Sequence, residues 1–209
     1  MPEESGRPLF SPRADARLRR AMVVGALLAA LLAATAFAMA RSGSTWRVGE
    51  AAPQPIPFSH AIHAGGLGLD CGFCHAGAAR AAGAGMPPGE LCLGCHQQVW
   101  NVSAQFAPVR AALQGGGSTT WSSVHRLPEH VRFHHGAHAA AGVGCTACHG
   151  AVEEMPRTVR AEPLHMGWCL DCHRDPAARG AQPVGLGRLA QQHGGATLPA
   201  LANCTVCHK

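Results

Sequence analysis

The chain has 209 residues, a formal net charge of +5 at pH 7 and 14% charged residues. It contains no tyrosine, six phenylalanines and four tryptophans, which excludes an ordinary core rich in aromatic side chains. Twenty-six glycines and fifteen prolines favour loops and short helices over long regular elements.

The first predicted element is an apolar segment near the N-terminus. Residues 21–40 contain no charged side chain, and twenty residues at the rise of an α-helix match the hydrocarbon thickness of a bilayer. The arginines that precede this segment are Arg13, Arg17, Arg19 and Arg20. They predict that residues 1–20 stay cytoplasmic, that residues 21–40 cross the cytoplasmic membrane once, and that the rest lies on the periplasmic side.

A cleaved signal peptide is the alternative interpretation of the same segment. Ala38, Met39 and Ala40 resemble the small-residue cleavage site of a secretory signal. The apolar region of such a signal is usually shorter, so the sequence favours an uncleaved anchor. Residues 41–57 are polar and rich in proline, and are expected to form a tether between the membrane and a domain of residues 58–209.

Five copies of Cys-x-x-Cys-His account for every cysteine in the chain. This motif is typical of c-type haem attachment, in which both thiols bond to the haem and the histidine binds its iron. The cysteines are Cys71, Cys74, Cys92, Cys95, Cys145, Cys148, Cys169, Cys172, Cys204 and Cys207, and the proximal histidines are His75, His96, His149, His173 and His208. An isolated Cys-x-x-Cys is more often a zinc or redox motif, but five intact copies indicate five covalently bound c-type haems.

Five haems within residues 58–209 leave about thirty residues for each, too few for a separate apolar core around every cofactor. The haems themselves are therefore expected to form the core. The fold class that follows is a mostly irregular chain with short α-helices wrapped around five haems, largely unfolded without them. Two propionates on each haem offset the positive charge, so the charge does not indicate a nucleic-acid partner.

The haem domain contains an internal duplication. The sequence from Phe58 to His63 recurs from Phe133 to His138 as Phe-x-His-x-x-His, and the first haem cysteine follows each phenylalanine by 13 and 12 residues. The pattern predicts two-haem modules at about 58–100 and 133–175, with residues 97–132 as a linker between them. The fifth attachment site, 204–208, stands alone.

An electron carrier needs a second axial ligand on each iron, so five distal ligands are expected. Each Phe-x-His-x-x-His offers two imidazoles on one helical face, which can reach two different irons. The distal candidates are His60, His63, His135 and His138, with His125 or Met166 for the fifth position. A methionine ligand would raise the potential of its haem, although Met166 could instead pack against Trp168. His130, His134, His165 and His193 are interpreted as solvent or propionate contacts.

Several of these features resemble one family. The N-terminal anchor, Phe58–His63, Met86-Pro87-Pro88 and Met166-Gly167-Trp168-Cys169 are similar to the pentahaem cytochrome c subunit of alternative complex III. The duplicated module is also similar to class III, c7-type cytochromes. The first resemblance implies partners in a membrane complex: an iron–sulfur subunit, polytopic quinone-binding subunits and a monohaem cytochrome c. His134 and His165 depart from the expected pattern, and residues 176–203 carry little of it.

The resemblance implies an electron-transfer subunit without catalytic residues of its own, carrying electrons from quinol oxidation to a periplasmic cytochrome c or a terminal oxidase. One alternative is a membrane-anchored multihaem quinol dehydrogenase of the nitrite or nitrate reductase donor type, which has a similar architecture. A multihaem reductase enzyme would need an open distal position on one iron. The abundance of distal histidines argues against that enzyme.

Overall fold

The computed structural model describes residues 11–99, 104–115, 119–176 and 201–208. It divides at residue 45 into two compact units. The first unit contains α1, Pro12–Arg41. The second contains α2 Cys71–Cys74, α3 Gly89–His96, α4 Ala107–Gln114, α5 His135–Ala140, α6 Thr146–His149, α7 Met166–Arg174 and α8 Cys204–Cys207, a π-helical segment Ala61–Gly66, and 3-10 turns Ala104–Phe106 and Val152–Glu154.

Helix α1 extends beyond the predicted residues 21–40 at its N-terminal end. The hydroxyl of Ser11 accepts a hydrogen bond from the Ala14 amide (3.3 Å), and proline follows at the first helical position. Asp15 in the first turn pairs with Arg19 at 2.8 Å. The helix is long and apolar enough to cross a membrane, as an anchor or a signal sequence would be.

Short helices in an otherwise irregular chain are confirmed. The described residues contain no β-strand, only two isolated antiparallel bridges, Ala51–Val159 and Val131–His208. Few side chains are buried by protein alone. In the described parts of the chain the buried apolar residues are Ile56, Phe106, Val109, Ala141 and Trp168. These five side chains form too small a core to hold the second unit together, as expected for a chain that wraps cofactors.

The expected tether is shorter than residues 41–57. The Gly49 amide donates to the Arg160 carbonyl (2.7 Å), and the Gln54 side chain bonds the backbone of Ser122 in both directions (2.8 and 2.9 Å). Ile56 is buried. The segment joins the domain because the Gly49 amide and the Gln54 side chain hydrogen-bond neighbouring loops and because Ile56 gains burial.

The expected linker 97–132 also contributes to the fold. Phe106 and Val109, at the start of α4, form the main apolar cluster together with Ile56. Leu113 and Trp121 pack against this cluster. The linker therefore carries much of the core that does not depend on cofactors.

Candidate haem sites

Each Cys-x-x-Cys-His motif lies on or directly beside a short helix, and three of these helices begin at a side-chain cap. Asp70 caps α2 through the Gly72 amide (2.7 Å), and Asn203 caps α8 through the Thr205 amide (3.1 Å). In three sites the histidine amide donates to the carbonyl of the first cysteine: His75 to Cys71 (2.9 Å), His149 to Cys145 (3.0 Å) and His208 to Cys204 (2.9 Å). One helical turn thus places both thiols and the imidazole on one side, as attachment of a single haem requires.

Each of the five proximal histidines faces a second histidine across a gap of similar width. The centroid separations are 6.5 Å for His60–His75, 6.0 Å for His63–His96, 6.3 Å for His135–His149, 6.1 Å for His138–His173 and 5.6 Å for His130–His208. Two imidazoles on opposite sides of one metal ion, each bound at about 2 Å, have centroids about 6 Å apart. The residues present therefore fit iron with two axial imidazoles at every motif.

Hydrogen bonds at Nδ1 orient seven of these imidazoles. Six have a backbone carbonyl as partner: His63 with Ser59 (2.8 Å), His75 with Gly85 (2.8 Å), His96 with Val99 (3.1 Å), His135 with Ala82 (2.7 Å), His138 with His134 (3.0 Å) and His173 with Leu201 (2.9 Å). The seventh, His60, has the hydroxyl of Thr158 (2.9 Å). A carbonyl only accepts, so Nδ1 carries the proton and Nε2 is left free to bind a metal.

The phenylalanine of each Phe-x-His-x-x-His fixes both of its histidines. Phe58 stacks on His63 (4.4 Å, 26°) and meets His60 edge-on (4.9 Å, 87°). Phe133 does the same to its own pair, stacking on His138 at 4.6 Å and 27° and meeting His135 at 4.7 Å and 90°. The duplicated pattern in the sequence is thus a duplicated geometry, although the first copy continues into a π-helical segment and the second into α5.

The protein environment also favours neutral imidazole, the form that binds metal ions. Burial lowers the pKa of His60, His138 and His149, and neighbouring imidazoles lower it further.

The first and third attachment sites lie side by side. Burial, followed by the neighbouring thiol of Cys145, raises the pKa of Cys71. Burial also raises the pKa of Cys148 to about 11, with a contribution from Cys172 of the fourth site. The first, third and fourth attachment sites therefore form a contiguous group.

His125 and Met166 are not placed as the sequence suggested. The His125 ring meets His149 edge-on at 4.4 Å, and the position opposite His149 is taken by His135. Burial lowers the pKa of His125 to about 4, and its Nε2 is buried without a hydrogen-bond partner. Met166 is the first residue of α7 and is 66% exposed.

His130, which the sequence predicted to be a solvent or propionate contact, instead faces the fifth motif histidine, His208. Its ring is parallel to that of His208 (5.6 Å, 12°), and the Arg132 amide donates to the Cys207 carbonyl at 2.7 Å. Together with the Val131–His208 bridge, this bond holds the fifth site against the start of the second module. The sequence feature that could have indicated this role is the position of His130, three residues before Phe133 of the second Phe-x-His-x-x-His pattern.

Two further histidines have structural positions. His134 accepts from the Ala137 amide (3.2 Å) at the start of α5, and His165 accepts from the Trp168 amide (2.9 Å) at the start of α7. Helix capping accounts for both departures from the resembled pattern. His193 lies outside the described residues.

Comparison with known proteins agrees with this geometry. Residues 131–209 match the family model described as cytochrome c7 and related cytochrome c. The chain is similar to the multihaem cytochrome c subunit of menaquinone reductase from Nitratidesulfovibrio vulgaris Hildenborough, with 33% identity over 97 residues. That alignment covers 46% of this chain and 45% of the relative, so the chain spans less than half of the relative's length. Residues 131–209 are thus similar to c7-type multihaem cytochromes.

Proposed function

We propose that this chain is a membrane-anchored pentahaem cytochrome c subunit that carries electrons within a quinone-linked respiratory complex. The observation that carries the proposal is that all five motif histidines face a second imidazole at 5.6–6.5 Å. Haem bound in these positions supplies one-electron transfer. An iron with imidazole on both sides offers no open position to a substrate, so quinone chemistry belongs to partner subunits.

The proposal assigns a holding role to each group of residues. The ten cysteines attach the cofactors, and the five histidines that follow them are the proximal ligands. The distal ligands are His60, His63, His130, His135 and His138. His130 replaces His125 and Met166 in the fifth position, because it alone of the three faces His208.

Two complexes suit such a subunit, and they differ in the direction of electron flow. The anchor, the duplicated module and the segment before Cys169 support the quinol-oxidising alternative complex III. Its iron–sulfur, polytopic quinone-binding and monohaem cytochrome subunits would be the partners. The second candidate reduces menaquinone from a low-potential donor, and the similarity to a menaquinone reductase subunit favours it. Imidazole on both sides of each iron suits both directions, so the partner subunits decide between them.

Purification of the tagged full chain from its native membranes tests the proposal. We expect the chain to need detergent and to copurify with a large iron–sulfur protein and polytopic subunits. Reduction of a periplasmic cytochrome c by added quinol would identify alternative complex III, whereas quinone reduction from a reduced low-potential donor would identify the second candidate. A chain recovered alone from the soluble fraction, with a mature N-terminus at Arg41, would contradict both the anchor and the complex.

A further inference from the structure

The two haem modules hold each other through matching backbone contacts. The Gly136 amide donates to the Ala81 carbonyl, and the Ala61 amide donates to the Met155 carbonyl, both at 3.1 Å. Each donor lies three residues after the phenylalanine of its own module, and each acceptor lies six residues after the first proximal histidine of the other module. The loop after one attachment site therefore supports the distal histidines of the other module.

The approach between modules is close on both sides. A Cβ atom at Gly65 would collide with the Glu153 carbonyl, and one at Gly136 would lie 3.0 Å from the backbone of Arg80. Because backbone meets backbone in both places, neither contact can relax by rotation of a side chain. His60, which faces the first attachment site, and His135, which faces the third, are thus held in equivalent, well-defined positions.

The two modules differ in the hydrogen bond that Nδ1 of this distal histidine makes. Nδ1 of His135 bonds the Ala82 carbonyl at 2.7 Å, whereas Nδ1 of His60 bonds the Thr158 hydroxyl at 2.9 Å. Both partners come from the loop after the other module's first attachment site. The hydrogen-bond partner of His60 is therefore a side chain, which a substitution can remove. The partner of His135 is a backbone carbonyl, which a substitution leaves in place.

We propose that Thr158 is a positioning residue that sets the electron-donating strength of His60 and thereby distinguishes the first haem from the third. This inference rests on the proposed function. With Nε2 on iron, the Nδ1–H of His60 donates a hydrogen bond to the Thr158 hydroxyl oxygen. Such a bond makes the imidazole a stronger electron-pair donor to the metal. A hydroxyl shares its oxygen between accepting and donating, whereas a carbonyl only accepts. His60 is therefore the weaker electron donor of the two. This contribution makes the haem at Cys71–His75 easier to reduce than the haem at Cys145–His149.

The test is the Thr158→Val variant of the full holoprotein, titrated potentiometrically while the visible spectrum is recorded. Valine keeps the shape of the side chain and removes the acceptor, so His60 becomes a weaker donor and ferric iron is less stabilised. One of the five reduction potentials should rise, by about 59 mV for a tenfold change in the ratio of ferric to ferrous affinity. The low-spin electron paramagnetic resonance signal of that haem should shift as well.

Two controls separate this role from packing. Thr158→Ser keeps the hydroxyl and should restore the wild-type potentials, and Thr120→Val changes an exposed threonine outside every attachment site. If the valine variant holds fewer than five haems, Thr158→Ala removes the same acceptor with a smaller side chain. Unchanged potentials in the acceptor-free variant, or a serine variant shifted as far as valine, would overturn the inference. The haem content and spin state of the unmodified chain test the proposed function separately.

Discussion

Replacing His130 with alanine will leave four haems low-spin and convert the fifth to a five-coordinate or water-bound state. His130 faces His208 at 5.6 Å with nearly parallel rings, and the other four motif histidines each face a second imidazole at 6.0–6.5 Å. Alanine removes the distal nitrogen and offers no replacement. Electron paramagnetic resonance of the oxidised protein should show one high-spin haem per chain, and the visible spectrum should lose about a fifth of its low-spin intensity.

The matched control is His125→Ala, because the sequence alone assigned that residue to the same role. His125 meets His149 edge-on at 4.4 Å, where it cannot oppose it across a metal ion. All five haems should stay low-spin in this variant. A high-spin haem in His125→Ala together with an unchanged spectrum in His130→Ala would reverse the assignment.

The full chain produced without haem attachment will not show a cooperative unfolding transition in its haem domain. Within the described residues only five apolar side chains are buried, and Val109 alone is fully buried. Helices α2, α6 and α8 have four residues each, far below the length at which an isolated helix is stable. Without the cofactors, the buried apolar surface does not offset the conformational entropy of the chain.

Tryptophan fluorescence on heating measures this transition, since all four tryptophans lie after residue 45 and the helical signal of α1 does not interfere. The fluorescence of the cofactor-free chain should change gradually with temperature. The mature protein should unfold cooperatively, as monitored by haem absorbance. A sharp transition in the cofactor-free chain would show that the polypeptide forms its own core.

The geometry of the two modules could be anticipated from the sequence because it is local. Phe58, His60 and His63 lie within one and a half helical turns, so their spacing determines which side chains share a face. The same holds for each Cys-x-x-Cys-His, where one turn brings the thiols and the imidazole together. In the structure Phe58 contacts the rings of both His60 and His63, and each motif lies on or beside a short helix.

The fifth pair could not be anticipated, since His130 and His208 are far apart in the chain and come together through a backbone bridge. No side-chain pattern encodes a contact made by Val131 and Arg132 backbone groups. His125 looked more suitable because tryptophan and proline flank it, but Trp121 instead packs on the small apolar cluster. The capping roles of His134 and His165 likewise depend on where α5 and α7 begin.

The segments expected to be a tether and a linker were misjudged for a related reason. Polar and proline-rich composition predicts exposure but not the pairing of the backbone with a neighbouring segment, as in the bridge between Ala51 and Val159. In a chain that wraps cofactors, few apolar side chains need burial, so the sequence shows little hydrophobic periodicity. Single residues such as Ile56 and Val109 then carry the packing without any repeating signal.

The central claim is that all five motifs carry haem with two axial imidazoles. A pyridine haemochrome assay combined with electron paramagnetic resonance of the oxidised full chain, purified from membranes, tests it most directly. The account predicts five haems per chain, one for each Cys-x-x-Cys-His, all of them low-spin. Four or fewer haems in a fully matured chain, or a dominant high-spin signal, would contradict it.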